Sequence, residues 1–354
     1  MKILFEHEHL YYLPQFESII YELRNRGEKN LFGSISLKTP QIEQNLFQNE
    51  MSRLGLEVLK FDSELDRLKY FKKMNFDLIF IGNKNTLANI KGKDSFVVMI
   101  YHGIGLKKSY YTDLTKEMDL ICVESKHREN LLNDLGYNVV NTGFTKIDLL
   151  KENLKVKRGT IPTILYAPTF FPSSLQKTIP YLSTLSDFNV KIKLHHFFWT
   201  NSRYVSIRRE LEDVIKNINN VNLYTFDSYN IMKLYPQANI LISDFSSTIF
   251  EYLIFNRPII QTTYYTKRLK YKIFPSSLKK RIDEKRAKEI DFVFNCDLPE
   301  LLPNFVCEAN NNPNKHLNER AAGLKRFLGD SKLNSAKNVV DALISNGISV
   351  GQTN

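Results

Sequence analysis

Three stretches place chemically capable residues directly after an apolar run. The first is Val97-Val98-Met99-Ile100-Tyr101, which ends at His102 and Gly103, with Gly105, Lys107 and Lys108 just beyond. An imidazole at the end of a strand can take a proton near neutral pH. Glycines there let backbone approach a ligand closely, and the lysines add positive charge. The alternative is a loop histidine bonded to the structure around it, and this stretch alone does not choose between the two. The second is Lys191-Ile192-Lys193-Leu194-His195-His196. In a strand, Lys191, Lys193 and His195 share one face and put His195 at the carboxyl end. Adjacent histidines then point in opposite directions and no acidic third ligand is evident, so a metal site is not expected.

The third stretch carries the strongest signal. Ile240-Leu241-Ile242-Ser243 runs into Asp244, Ser246, Ser247 and Thr248, where a helical pattern begins. The first N–H groups of a helix and its positive dipole end favour an anion. The hydroxyls of Ser246, Ser247 and Thr248 add donors for phosphate oxygens. Thr248 and Glu251 have capping-box spacing, and Glu251 is placed to accept from a ribose or glycerol hydroxyl. The bland alternative is a plain helix cap, and the two are compatible. Further on, Lys267–Lys288 is rich in lysine and arginine, including Lys279, Lys280 and Arg281, with Tyr264, Tyr265, Tyr271 and Phe274 in or beside it. Such a segment suits an anionic membrane surface or a polyanionic acceptor. It also fits a plain solvated face.

These residues need elements to hold them. Strands are expected at Met1–Phe5, Val58–Phe61, Leu78–Ile81, Phe96–Tyr101, Leu120–Val123 and Val139–Thr142, with helices after the first strand and at Lys126–Leu135. A charged stretch at 151–161 reads as a linker. Strands then follow at Ile164–Tyr166, Val190–Leu194, Val221–Phe226, Ile240–Ser243 and Pro258–Thr262. Helical patterns fall at Tyr204–Asn217 and Ser247–Phe255, and at Asn318–Ser345 with a break at 331–334. Strands alternating with helices predict parallel sheets. We therefore expect an α/β chain of two Rossmann-like, doubly wound domains facing across a cleft. Residues 1–150 form the first and 162–330 the second. Residues 331–354 form a helix and frayed tail. Ligands of such sheets sit beyond the carboxyl ends of the strands, where all three stretches fall.

The chain has 354 residues, 43% hydrophobic and 25% charged. That composition excludes disorder, collagen and coiled coil as descriptions of the whole. No apolar run reaches the length of a membrane-spanning helix, and the apolar start is too short for a signal peptide. A cytoplasmic protein is expected, with room for peripheral attachment to the inner face of the membrane. The three cysteines, Cys122, Cys296 and Cys307, lack the number and spacing of a disulfide framework or zinc site. A net charge of +11 points to an anionic partner, but no recognised nucleic-acid module appears. Walker A and dinucleotide fingerprints are missing too.

Several motifs taken together resemble the CDP-glycerol glycerophosphotransferase family, the teichoic-acid primases and polymerases. His102-Gly103 with Leu106-Lys107-Lys108 is similar to that family's W-H-G-T-P-L-K element. Gly143-Phe144-Thr145-Lys146-Ile147-Asp148-Leu149-Leu150 resembles G-Y-P-R-N-D-x-L, and Ile164–Phe170 resembles I-L-Y-A-P-T-W. Lys193-Leu194-His195 is similar to K-x-H-P up to its last position. Ser243–Ser247 with Phe250-Glu251 and Arg257-Pro258 resembles T/S-D-Y-S-S…F-D…R-P. Order and spacing agree from about residue 95 to 262. Tyr101 for Trp, Ile104-Gly105 for Thr-Pro, Thr145-Lys146 for Pro-Arg and His196 for Pro are departures. The resemblance implies a GT-B fold and transfer of glycerol phosphate from CDP-glycerol to an acceptor hydroxyl, with CMP released. The setting implied is synthesis of a teichoic-acid or capsule-like glycopolymer, on a lipid-linked or polymeric saccharide acceptor. It implies His102 as general base, His195 on the phosphate oxygens, and a pyrophosphate held at Ser246–Thr248. No metal or other cofactor is expected. A nucleotide-sugar glycosyltransferase of the same fold is the alternative.

Overall fold

The computed structural model describes residues 1–150, 159–266, 271, 273, 283–329 and 334–351. The chain divides into two compact units. The first comprises Met1–His102, Tyr110–Lys151 and Phe327–Asn354, and the second comprises Gly103–Ser109 and Glu152–Arg326.

The sheet of the first unit has six strands. They are β1 (Ile3–His7), β2 (Leu31–Ile35), β3 (Leu78–Ile81), β4 (Phe96–Ile100), β5 (Leu120–Val123) and β6 (Val139–Asn141). Their order is β2-β1-β3-β4-β5-β6 and every pairing is parallel. Short continuous apolar runs suit strands covered on both faces. Ile79, Val97 and Ile121 are fully buried, and Met99 and Val123 nearly so. The helix Leu13–Asn25 buries Phe16, Ile19, Ile20 and Leu23, apolar residues spaced to line one side. Gly27 follows it at φ 95°, a conformation that a side chain would oppose.

The second unit repeats the design with β7 (Thr163–Ala167), β8 (Asn189–Ile192), β9 (Val221–Leu223), β10 (Ile240–Ser243), β11 (Ile259–Thr262) and β12 (Phe294–Cys296). The order is β12-β11-β10-β7-β8-β9, again with parallel pairing throughout. Its core is built on Ile164, Val190, Ile192, Ile240 and Ile260, all fully buried. Burying each such side chain contributes about 1.5–3 kcal/mol.

At the sheet edges one expected strand is missing and two unexpected ones are found. Val58–Phe61 is not a strand; the edge strand of the first unit is Leu31–Ile35, paired with β1 from Ile3↔Leu31 to His7↔Ile35. Gly33 and Ser34 weaken the apolar run, so tertiary pairing decides it. A Cβ on Gly33 would stand 2.2 Å from Met51 Sδ, so the helix Gln41–Leu54 can lie close only over a glycine. At the other end of the chain, β12 is a three-residue edge strand that its sequence, Phe-Asn-Cys, does not announce.

The C-terminal helix Ser335–Ser345 belongs to the first unit. Val339, Val340 and Leu343 are fully buried. Asp148 caps it from a distance, accepting from Ser335 N at 3.1 Å and Ala336 N at 2.7 Å. Residues 347–351, expected to fray, are held: Val350 is buried and Gly351 N donates to Glu28 Oε1 at 2.9 Å.

Candidate functional site

Within the second unit, β7 is flanked by β8 on one side and β10 on the other, so the strand order reverses between β7 and β10. Ligands of doubly wound sheets bind beyond the strand ends at such a point. Ser243 ends β10 in register with Ala167, the last residue of β7. The Ser-rich turn and the Pro168–Phe170 segment therefore leave the sheet side by side.

Asp244 joins them. Its carboxylate accepts from Thr169 N at 2.8 Å, Ser174 N at 2.9 Å and Ser174 Oγ at 3.0 Å. Burial pushes its pKa up to about 7, with those three donors pulling the other way. Ser243 Oγ donates to Ala167 O at 2.6 Å and bonds Thr248 Oγ1 at 2.8 Å. Glu251 accepts from Tyr235 OH at 2.8 Å and from Ser247 Oγ at 3.1 Å. The side chains of Asp244, Thr248 and Glu251 are thus buried and occupied with their own unit. This corrects the expectation that they face a ligand: they brace the turn instead. The Thr248/Glu251 spacing does not form a capping box. Ser247 is the N-cap of a single α turn, Thr248–Glu251, continued by the 3₁₀ turn Tyr252–Phe255.

Ser246 and Ser247 remain half-exposed on this braced turn. Ser246 Oγ accepts from Thr248 N at 3.3 Å, and a hydroxyl that accepts keeps its own hydrogen to donate. His195 is also half-exposed, just beyond β8. Phe197 N donates to His195 Nδ1 at 3.3 Å, which selects the tautomer with its proton on Nε2. Phe170 packs on the His195 ring with centroids 4.6 Å apart, and Lys107 Nζ lies 5.0 Å from the centroid of Phe170. Lys193, two residues earlier and directly after β8, is buried, and burial lowers its pKa to about 8. Gly103 is buried at the start of the segment that carries Lys107. Lys279, Lys280 and Arg281 lie outside the described residues.

His102 belongs to the first unit, directly after β4 and Tyr101. Its ring stacks on Tyr12 with centroids 4.6 Å apart and 19° between planes. Tyr11 and Tyr110 meet it at 5.5 Å and 5.7 Å. Tyr12 OH donates to Glu8 Oε2 at 3.2 Å and accepts from Asn83 Nδ2 at 2.8 Å. A Cβ on Gly82 would stand 2.7 Å from the Tyr12 ring, so the glycine leaves room for that ring. The Tyr12 platform and the Phe170 contact escape a reading of local motifs, because both come from distant sequence. Their one signal is the density of tyrosine and phenylalanine near the histidines.

Residues 132–275 match the protein family described as CDP-Glycerol:Poly(glycerophosphate) glycerophosphotransferase. That match covers under half of the chain. The match takes in His195 and the Ser-rich turn and begins after His102. A teichoic acid glycerol-phosphate primase of Bacillus subtilis (strain 168) is 32% identical over 122 residues, which is 32% of this chain and 28% of that protein. The chain therefore aligns with under a third of that relative's length. Among solved structures, the wall teichoic acid polymerase TagF, as a variant soaked with CDPG, superposes with a TM-score of 0.71 at 14% identity. That alignment covers 98% of this chain and 88% of the other. The UDP-GlcNAc 2-epimerase from Neisseria meningitidis, bound to UDP-GlcNAc, gives 0.59 at 16% identity, over 98% of this chain and all of that one. These likenesses place the fold in the GT-B type.

Proposed function

We propose that the protein transfers glycerol phosphate from CDP-glycerol to a hydroxyl of a saccharide acceptor, in the synthesis of a teichoic-acid-like glycopolymer. The observation that carries this reading is the family match over the switch point of the second unit, where Ser246, Ser247 and His195 stay half-exposed on a braced frame. The acceptor oxygen attacks the phosphorus that bears glycerol, the bond from that phosphorus to CMP breaks, and CMP leaves with the electron pair. The acceptor's proton passes to the His102 imidazole. In this reading the Tyr12 ring fixes the plane of His102. His195 donates from Nε2 to a phosphate oxygen, and the Ser246–Ser247 turn holds the diphosphate with hydroxyl and backbone donors. Catalysis is then mostly positioning and charge stabilisation.

The donor side has direct support in the family match; the acceptor is inferred from the kind of polymer the relatives' names describe. The basic segment around Lys279–Arg281 would hold the enzyme against anionic lipid near a lipid-linked acceptor. Among the described residues no helix is long and apolar enough to cross a membrane.

The test is CMP release from CDP-glycerol with a primed acceptor, beside a panel of CDP-ribitol and UDP- and GDP-sugars. CMP release with phosphate appearing in the product supports the reading. UDP release from a sugar nucleotide would replace it with glycosyl transfer, which this fold also serves. His102→Ala should cut turnover by about 10²–10⁴-fold while leaving CDP-glycerol affinity within about twofold. Near-normal turnover would remove the base from His102.

A further inference from the structure

The helix Lys126–Asn133 carries a buried cation that the reaction above does not use. Arg128 is 1% exposed, and its Nε donates to Glu124 Oε1 at 2.8 Å. Among the described residues, neither Nη1 nor Nη2 has a hydrogen-bond partner. Leaving the fork of a buried guanidinium without acceptors is costly, and native interiors rarely do it. What the fork meets instead is three aromatic rings. The guanidinium carbon lies 4.8 Å from the centroid of Tyr101, 5.1 Å from that of Tyr111 and 5.5 Å from that of Tyr110. Cation–π attraction returns part of the cost, most strongly where water is excluded.

The position of those rings gives the arrangement a purpose. The first unit loses the chain after His102 and regains it at Tyr110. Tyr101 stands immediately before the departure, and Tyr110 and Tyr111 stand at the return. Tyr101 OH donates to Tyr110 O at 2.7 Å, which ties the two sides of this neck together. Tyr110 in turn touches the His102 ring. Arg128 is itself anchored. Glu124 follows β5 directly, and Ser125, the N-cap of the helix, accepts from Arg128 N at 3.4 Å. A continuous run of contacts thus leads from the end of a core strand, through Glu124 and Arg128, to the tyrosines on both sides of His102.

We propose that Arg128 is a positioning residue that clasps the neck of the 103–109 segment and fixes the bearing of the His102 imidazole. This deepens the reading of His102 as the base and rests on it. A flat guanidinium can lie over several rings while one edge pairs with a carboxylate, and an ammonium cannot. Displacement of a reacting group by about 1 Å costs on the order of 100-fold in rate, so a clasp outside the site can govern turnover.

The test uses the full chain with Arg128→Met, Arg128→Lys and His102→Ala, with two readouts: kinetics on CDP-glycerol, and amide hydrogen exchange followed by mass spectrometry. With Arg128→Met, exchange in peptides covering 101–112 should quicken by about tenfold or more, while peptides from β1 and β7 stay unchanged. Turnover should fall about 10–100-fold with KM for CDP-glycerol within about twofold. Arg128→Lys should fall in between on both readouts. His102→Ala should lose turnover with no change in exchange. Unchanged exchange at the neck, or a rise spread evenly over the first unit, would overturn the clasp and leave Arg128 as core filling. If Arg128→Met does not fold, Tyr101→Phe takes its place, since it keeps the ring and removes only the tie to Tyr110 O. Faster neck exchange in that variant supports the clasp, and unchanged exchange overturns it. If the unaltered enzyme transfers no glycerol phosphate, the reading of His102 as base fails on its own, and the exchange pattern still decides the clasp.

Discussion

Replacing Asp148 by Ala should loosen the first unit and leave the second alone. Asp148 sits in a short 3₁₀ stretch, Thr145–Leu150, far in sequence from the helix it caps. Its two oxygens accept from the first two N–H groups of the helix Ser335–Ser345, at a place where Asp148 and Ser335 are both under a tenth exposed. Loss of one cap costs about 1 kcal/mol. A hydrogen bond to a charged acceptor contributes about 1.5–3 kcal/mol, and a carboxylate at a helix start adds about 0.3–1 kcal/mol. With overlap allowed for, Asp148→Ala should cost about 2–4 kcal/mol. Asp148→Asn, which keeps one oxygen, should cost about half. For a domain of this size that corresponds to about 5–10 °C in Tm. The helix will not detach outright, since it keeps its buried apolar face and the Arg26–Asp341 ion pair at 2.6 Å. The assay is convenient because Trp199, the single tryptophan, lies in the second unit. Urea unfolding followed by circular dichroism should develop an early transition in the variant, while the tryptophan fluorescence transition stays put. If the fluorescence midpoint moved as far as the dichroism midpoint, or if neither moved, the assignment of this cap to the first unit would be refuted.

Other expectations are simpler to check. Burial holds the Asp244 pKa near 7, above its ordinary value of 3.8, so the folded second unit binds a proton that the unfolded chain releases. The stability this contributes is complete below about pH 4 and is lost as pH rises through about 7. Measured by tryptophan fluorescence, the urea midpoint of the wild type relative to Asp244→Asn should fall between pH 5 and 8, and a constant difference would count against it. Cys307 is exposed on the helix Leu302–Asn311, while burial pushes the Cys122 thiol up to about 12 and the Cys296 thiol up to about 11. Ellman's reagent at pH 8 should therefore titrate one thiol quickly in the native protein and three in denaturant. Two fast native thiols would contradict this packing.

Much of the architecture could be read from the residues because its strands are buried on both faces. Leu78–Ile81, Leu120–Val123 and Ile240–Ser243 fall where their uninterrupted apolar runs predict, to the residue. Edge strands carry less of that signal. Leu31–Ile35 contains a glycine and a serine, and Phe294–Cys296 has a central asparagine, so pairing with a neighbour decides both. The candidate site was legible as a set of positions but not as a set of roles. Residue types alone suggest that Asp244, Thr248 and Glu251 present oxygen to a ligand. Burial turns them inward, and the work of facing outward falls to Ser246, Ser247 and His195. Asp148 illustrates the same limit: its motif carries only a resemblance, and its partners, Ser335 and Ala336, are nearly 190 positions away. The Arg128 clasp is legible in retrospect only as an arginine following a glutamate by one helical turn.

The return of the helix Ser335–Ser345 to the first unit reverses the order of completion during synthesis. On the ribosome, the half that starts first must wait for its last helix, while the half that starts later can close around its own sheet beforehand. Until then, the surface of the helix Leu13–Asn25 that this segment covers stays bare. A premature stop between Arg326 and Ser335 would yield a finished second half tethered to a sticky, incomplete first one.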